Sequence, residues 1–278
     1  MRHDRSDKDV TVDTTQTRSP LGKVRALWRE RGIFWLLVRR DLKVRYAGSA
    51  LGWVWTILDP LLMAMVYWFV FTMIFSRGVG EEPYIVFLIA GLLPWMWFTG
   101  GVNETSRALK ADSKLIKSID LPREIWVLRT VASKGIEYLL SLPVLVLFAI
   151  IYQAQVNWYI LTLPLAVFLQ MVLLAGIGMI LAPLVVLVPD LQRIIKIFLR
   201  LGFYASPVIY SITDVPDGYE WVFSLNPMAG LLSLYRIGFF PDQSTWTHVG
   251  QAALTSFVVF GIGYFVFQRL ERTVLKEI

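Results

Sequence analysis

Residues 43–75 read KVRYAGSALGWVWTILDPLLMAMVYWFVFTMIF. A basic segment carrying Lys43 and Arg45 runs into a Gly-x-x-x-Gly turn at Gly48 and Gly52. An apolar stretch follows, interrupted once at Asp59-Pro60. A spanning helix needs about 20 mostly apolar residues, because the hydrocarbon is about 30 Å thick and a helix rises about 1.5 Å per residue. Residues 53–75 meet that length. The stretch therefore predicts a positive surface at the foot of a membrane span.

The whole composition agrees. Apolar residues make up 56% of the 278 and charged residues 17%, with a mean hydropathy of +0.56. Soluble domains run at about 45–50% apolar and about 25% charged. With no cysteine in the chain, disulfides, thiolate nucleophiles and Cys-based metal sites are excluded. Residues 1–32 are polar, so no signal peptide is expected. Residues 1–22, of mixed charge and few apolar groups, are expected to form a disordered cytosolic tail.

Within residues 23–52, Trp35, Val38, Leu42 and Tyr46 recur at three- and four-residue steps while Arg39, Arg40 and Lys43 point elsewhere. Residues 33–46 therefore predict an amphipathic helix along the headgroups. The same pattern fits a simple anchor with snorkelling cations. Six spans are expected: 53–75, 84–102, 136–152, 158–188, 197–212 and 251–267. Of the 27 Lys and Arg residues, 12 precede Trp53 and 6 lie in residues 104–129. Cationic loops face the cytosol, which puts both termini inside. The net charge of +6 then reflects an inner-leaflet bias rather than nucleic-acid binding.

Residues 228–240 are apolar but too short to cross. A seventh span there would send Arg269, Arg272 and Lys276 outside, so residues 213–240 are expected to form a re-entrant hairpin from the outer face. Irregular backbone at that depth persists only where it is buried in protein or lines a cavity. The loop 104–129 is long and charged. Ala108, Leu109, Leu115 and Ile116 allow a short amphipathic helix that suits docking on a cytosolic partner, although a solvated loop fits too.

Several chemistries lack their residues. There is no Gly-x-x-x-x-Gly-Lys-Ser/Thr loop to cradle a nucleotide. The two histidines, His3 and His248, make no metal cluster, and no serine has an evident histidine partner. No metal, catalytic or directly bound cofactor residue is assigned. An ATP-driven protein of this kind needs its ATP and Mg handled by another chain. Asp59, Lys134, Glu137, Lys196 and Arg200 all lie near the expected inner interface, where they can snorkel or pair; Lys134 and Glu137, three apart, share a helical face. Tyr67, Phe71 and Phe75 fall on one face of the first span, and Trp95 and Trp97 lie at the second. Such aromatics suit either an interfacial belt or a stacking surface for sugar rings.

Four blocks then stand in order: Arg45-Tyr46-x-Gly48-Ser49-x-Leu51-Gly52-x-x-Trp55 with Pro60-Leu61; Leu115-Ile116 with Leu121-Pro122-Arg123-Glu124; Ser206-Pro207-Val208-x-Tyr210; and Asn226-Pro227 with Tyr235-Arg236. From about Arg39 onward the chain resembles the ABC-2 permeases of Wzm type, which export O-antigen, teichoic acid and mycobacterial galactan. The resemblance implies an all-α polytopic membrane protein spanning residues 23–278 of the cytoplasmic (inner) membrane. It would have six transmembrane helices, an N-terminal interface helix, a cytosolic coupling helix and outer gate helices.

It also implies a homodimeric channel, two ABC ATPase subunits beneath it, and no enzyme activity of its own. The cargo implied is a glycan on a polyprenyl pyrophosphate, with Arg39, Arg40, Lys43 and Arg45 as pyrophosphate contacts. Channel aromatics would include Tyr67, Phe71, Phe75, Trp95, Trp97 and Tyr204. The coupling set would be Leu109, Lys110, Asp112, Ser113, Lys114 and Leu115, and the gate set Pro207, Asn226, Pro227, Tyr235 and Arg236. Two departures stand out: Pro189-Asp190 where many relatives carry Arg-Asp, and Trp126-Val127-Leu128 where a second proline is common. Rival expectations are an ABC-2 exporter of drugs or small lipids and a membrane glycosyltransferase.

Overall fold

The computed structural model describes residues 28–74, 80–119, 121–215, 218, 223, 226–243 and 246–277. The expected N-terminal tail (1–22), Phe75 and parts of the 213–240 hairpin lie outside these residues. Every regular element among the described residues is helical. The order is α1 (Arg31–Tyr46), α2 (Trp55–Trp68, continued by a π-helical turn Phe69–Ile74), α3 (Tyr84–Thr105), α4 (Ala108–Ala111), α5 (Ser113–Ser118), α6 (Glu124–Ile151), α7 (Leu163–Leu187), α8 (Leu191–Tyr204), α9 (Pro227–Arg236) and α10 (Trp246–Glu277).

Four of these are long and apolar enough to cross a bilayer: Tyr84–Thr105, Glu124–Ile151, Trp158–Leu187 and Trp246–Glu277. The third counts the 3-10 turn before α7. The apolar helix Trp55–Phe71 of α2 and its turn, and α8 with 14 residues, are shorter than the about 20 that a perpendicular span needs.

α3 is the hub. It is apolar on all sides, as a helix surrounded by protein should be, and α2, α6, α7, α8 and α9 all pack on it. α7 and α10 cross closely through small residues: a Cβ on Gly263 would lie 2.2 Å from the Gly176 carbonyl oxygen, and one on Gly176 2.6 Å from the Phe260 Cα. Without a hydrophobic drive between helices in lipid, such backbone approach supplies the packing.

Several boundaries differ from expectation for local reasons. α6 starts at Glu124 rather than near 136, because the charged approach is itself helical and its Ile125, Trp126 and Val127 are buried. The fifth apolar helix is Leu191–Tyr204 rather than 197–212. Pro207 lacks an N–H and disfavours helix in the residue before it, so the chain turns there. α10 runs on to Glu277 through Gln268, Arg269, Glu271 and Arg272, residues with good helix propensity. The expected coupling helix is two short pieces, α4 and α5, broken at Asp112 (φ −110°, ψ 23°). On α1 the buried side chains are Leu37, Val38 and Leu42, while Trp35 stays 50% exposed. Val38 and Leu42 of the expected stripe thus seat the helix, with Tyr46 half-buried, and Leu37 takes the place expected for Trp35.

Candidate functional site

Two charge clusters fasten α1 to the rest of the bundle. In the first, the Arg129 guanidinium on α6 is buried and donates to Asp41 of α1 and to Asp112 between α4 and α5. Arg40 Nη2 donates to Asp112 Oδ1 at 2.8 Å and to Asp41 Oδ1 at 3.3 Å. Three separate elements therefore meet at one four-membered clasp of two guanidiniums and two carboxylates. Charge-assisted bonds of this type are about twice as strong as neutral ones.

In the second cluster, Arg45 donates both terminal nitrogens to Glu104 at the end of α3. Its Nε lies 2.5 Å from Glu137 Oε1, an ion contact rather than an aligned hydrogen bond. Lys134 Nζ sits 2.8 Å from Glu104 Oε1 and 2.9 Å from Glu137 Oε2, the pairing expected from the three-residue spacing. Burial pulls the Arg45 and Arg40 guanidiniums down, but their carboxylate partners outweigh it and hold both above the ordinary arginine range. Tyr46 moves the other way in cause: burial raises it, against its 2.5 Å bond to Thr56.

Beside this cluster a cavity of about 350 Å³ opens between α1, α2, α3 and α6. Arg45, Lys134, Asp59 and Glu137 give its charge; Tyr46, Thr56 and Ser141 its hydroxyls; Trp55, Trp97 and Tyr138 its aromatic walls. Trp97 and Tyr138 stack face to face, centroids 4.8 Å apart.

The expected site residues divide on this map. Of the four cations, Arg40 and Arg45 are held by carboxylates in different clusters, and Arg39 and Lys43 are exposed. Of the coupling set, Leu109 is buried with Ile116 in the core that Leu37 and Trp126 share, Asp112 is in the clasp, Ser113 and Leu115 are half-buried, and Lys110 and Lys114 are exposed. Among the aromatics, Tyr67 and Phe71 stack on each other at 6.4 Å and Tyr67 also meets Phe203. Trp95 is buried against Phe203, Trp97 walls the cavity, and Tyr204 is 66% exposed.

The gate set comes together at the opposite end of α3. Asn226 caps α9 by accepting from the Met228 N–H at 3.0 Å and donates to Ser206 Oγ at 2.8 Å. Pro227 is the first residue of α9, where its missing N–H is harmless. Arg236 is buried with its guanidinium 3.7 Å from the Phe87 ring centroid, and it donates to the carbonyls of Phe87, Pro207 and Val208. Tyr235 packs edge-on against Tyr138 at 5.7 Å. Gly91 makes room for Arg236: a Cβ there would lie 2.1 Å from Nη2.

Asp41, Glu104, Arg129 and Gly91 were not among the expected site residues. An arginine two residues past a buried Ile-Trp-Val run was the available signal for Arg129, and nothing in the sequence pointed to its partners.

A helical bundle with four helices of spanning length and a charged helix clasped to one end defines a polytopic membrane protein. The chain belongs to the ABC-2 type transporter membrane family, whose pattern matches residues 33–240. It is 32% identical over 222 residues (79% of this chain, 85% of the relative) to the O-antigen export system permease protein RfbA of Myxococcus xanthus. It is 29% identical over 238 residues (85% and 91%) to a protein of the same name from Klebsiella pneumoniae. To the polysialic acid transport protein KpsM of Escherichia coli it is 24% identical over 248 residues (87% and 94%).

Proposed function

We propose that this chain is the transmembrane subunit of an ATP-driven exporter that moves a polyprenyl-pyrophosphate-linked polysaccharide, of O-antigen, galactan or teichoic-acid type, across the cytoplasmic membrane. The supporting observation is the clasp of Asp41, Asp112, Arg129 and Arg40 in a chain whose relatives are named for polysaccharide export. It joins α1 to the α4–α5 segment, so force applied to either is delivered to both.

In this reading two copies enclose the channel and two cytosolic ABC ATPase subunits, which use ATP and Mg, press on α4–α5 from below. The clasp carries that displacement to α1 and α6, and so biases the bundle between two arrangements. Both termini are cytosolic, in line with the inward cationic bias. α2 with its π-helical turn and α8 complete six crossings by tilting or with local bilayer adjustment, and α9 belongs to a re-entrant outer gate. The exposed Arg39 and Lys43 meet the pyrophosphate first, because Arg40 and Arg45 are already committed to carboxylates. Tyr67, Phe71 and the exposed Tyr204 form an aromatic lining on the α8 side, backed by the buried Trp95 and Phe203.

The test is reconstitution with the partner ATPase in proteoliposomes. ATP-dependent movement of lipid-linked glycan is expected. A folded, ATP-hydrolysing complex that moves drugs or short lipids but no lipid-linked glycan would refute the assignment.

A further inference from the structure

The cavity beside the second charge cluster has an unusual electrical balance. Two cations face it, Arg45 and Lys134, and both are spoken for: Glu104 and Glu137 contact each of them within 3 Å. A further carboxylate, Asp59, stands in the wall, exposed and without an ion pair among the described residues. The surroundings thus hold three negative groups against two positive ones. An incoming pyrophosphate would have to displace Glu104 or Glu137 from their cations and then face Asp59, and like charges at such range repel by about 1–4 kcal/mol per pair. The cavity is poorly built for an anion.

It is well built for a neutral polyol. Asp59 offers two acceptor oxygens to vicinal hydroxyls, and hydroxyl-to-carboxylate bonds are among the strong ones. Ser141 donates its proton to the Tyr138 carbonyl at 2.7 Å, which leaves its oxygen free to accept. Trp55 is 39% exposed, so part of its ring can meet a C–H face. At about 350 Å³ the space is at the small end of ligand pockets, which run from about 300 to 1,000 Å³.

We propose that this cavity, between α1, α2, α3 and α6, is a recognition site for a neutral sugar ring, with Asp59 as hydroxyl acceptor and Trp55 as stacking surface. The proposal rests on the glycan-export reading and deepens it. The pyrophosphate is left to the exposed cations of α1, while the cavity reads a sugar of the glycan attached to it. Selectivity for a glycan then comes from a site separate from the one that holds its charged lipid end.

The experiment is transport of native lipid-linked glycan by the permease–ATPase complex in proteoliposomes, comparing wild type with Asp59→Asn, Trp55→Ala and Trp55→Tyr. Assembly is checked by co-purification of the ATPase. Asp59→Asn and Trp55→Ala are expected to raise KM about tenfold, a binding loss of about 1.4 kcal/mol, with kcat within about twofold; Trp55→Tyr restores most of the loss. In wild type, a panel of methyl glycosides of the common hexoses, deoxyhexoses, pentoses and N-acetylhexosamines should include at least one competitor that loses effect in Asp59→Asn. Inorganic pyrophosphate should compete equally in both proteins. Unchanged KM in assembled variants overturns the sugar site alone. So does a kcat loss without a KM change, a panel with no competitor, or pyrophosphate inhibition that depends on Asp59. Absence of any glycan transport in wild type overturns the exporter reading instead.

Discussion

The two ends of α3 solve the problem of a buried arginine in opposite ways. At the α1 end, Arg129 is satisfied by two carboxylates that come from two other elements, and Arg40 and Arg45 likewise answer to acids on distant segments. At the α9 end, Arg236 is satisfied by three neutral backbone carbonyls and an aromatic face. Ion pairs between side chains can exchange partners when the elements shift. Backbone carbonyls cannot be exchanged without moving the main chain. The α1 end is therefore suited to relaying motion, and the α9 end to holding one geometry of the Ser206–Val208 turn against α3.

That contrast orders the expected effects of substitution. Arg129→Ala leaves Asp41 and Asp112 with only the half-exposed Arg40 guanidinium between them and should cost about 3 kcal/mol, the low end for breaking a buried pair. Detergent melting curves followed by size-exclusion should show it, and Asp41→Asn added to Arg129→Ala should recover part of the loss. Wild-type-like melting of the single variant would mean that the clasp carries no stability.

At the other end, Arg236→Ala removes charged donors from three carbonyls and should cost about 2–3 kcal/mol. Gly91→Ala crowds the guanidinium and the fixed Val208 carbonyl, for about 1–3 kcal/mol. The two should add less than fully, because removing Arg236 relieves its clash with the methyl and leaves only the Val208 carbonyl, 3.0 Å away; fully additive losses in the double variant would show that Gly91 and Arg236 act independently.

Arg45→Ala should be milder, about 1 kcal/mol, since its side chain is still 28% exposed to solvent. The smallest structural effect belongs to Arg39→Ala with Lys43→Ala. Melting should stay within about 0.5 kcal/mol of wild type while glycan transport falls several-fold, and unimpaired transport would remove both cations from pyrophosphate handling.

Legibility in the sequence followed the range of the interactions. The spans expected at 84–102 and 158–188 match the helices Tyr84–Thr105 and Trp158–Leu187 because apolar length is a local property, and the Lys134–Glu137 pair is legible because three-residue spacing on a helix is too. Hydropathy alone carries a fifth span from 197 to 212 straight through the Ser206-Pro207-Val208 motif, because it does not register the backbone chemistry of proline. The clasp was invisible for a different reason. Arg129 and Asp41 lie 88 positions apart and Arg129 and Asp112 17 apart, so no periodicity connects them. The split of the coupling segment at Asp112 follows from the same pairing. The pairing of Arg45 with Glu104 and Glu137 is invisible in the same way, because those acids belong to other helices.

In the proposed mechanism, force from a separate ATPase enters through α4–α5 and reaches α1 because the clasp makes the two move together. The chain has no cysteine of its own, so Arg40→Cys with Asp112→Cys can be bridged cleanly by a short bifunctional methanethiosulfonate. The decisive measurement is ATP-driven glycan transport by the reconstituted complex before and after bridging. Transport weakened by loss of the ion pair and restored by the bridge is the predicted result. Transport that survives unbridged but stops once the bridge forms would show that α1 and α4–α5 must move against each other, and would contradict the account.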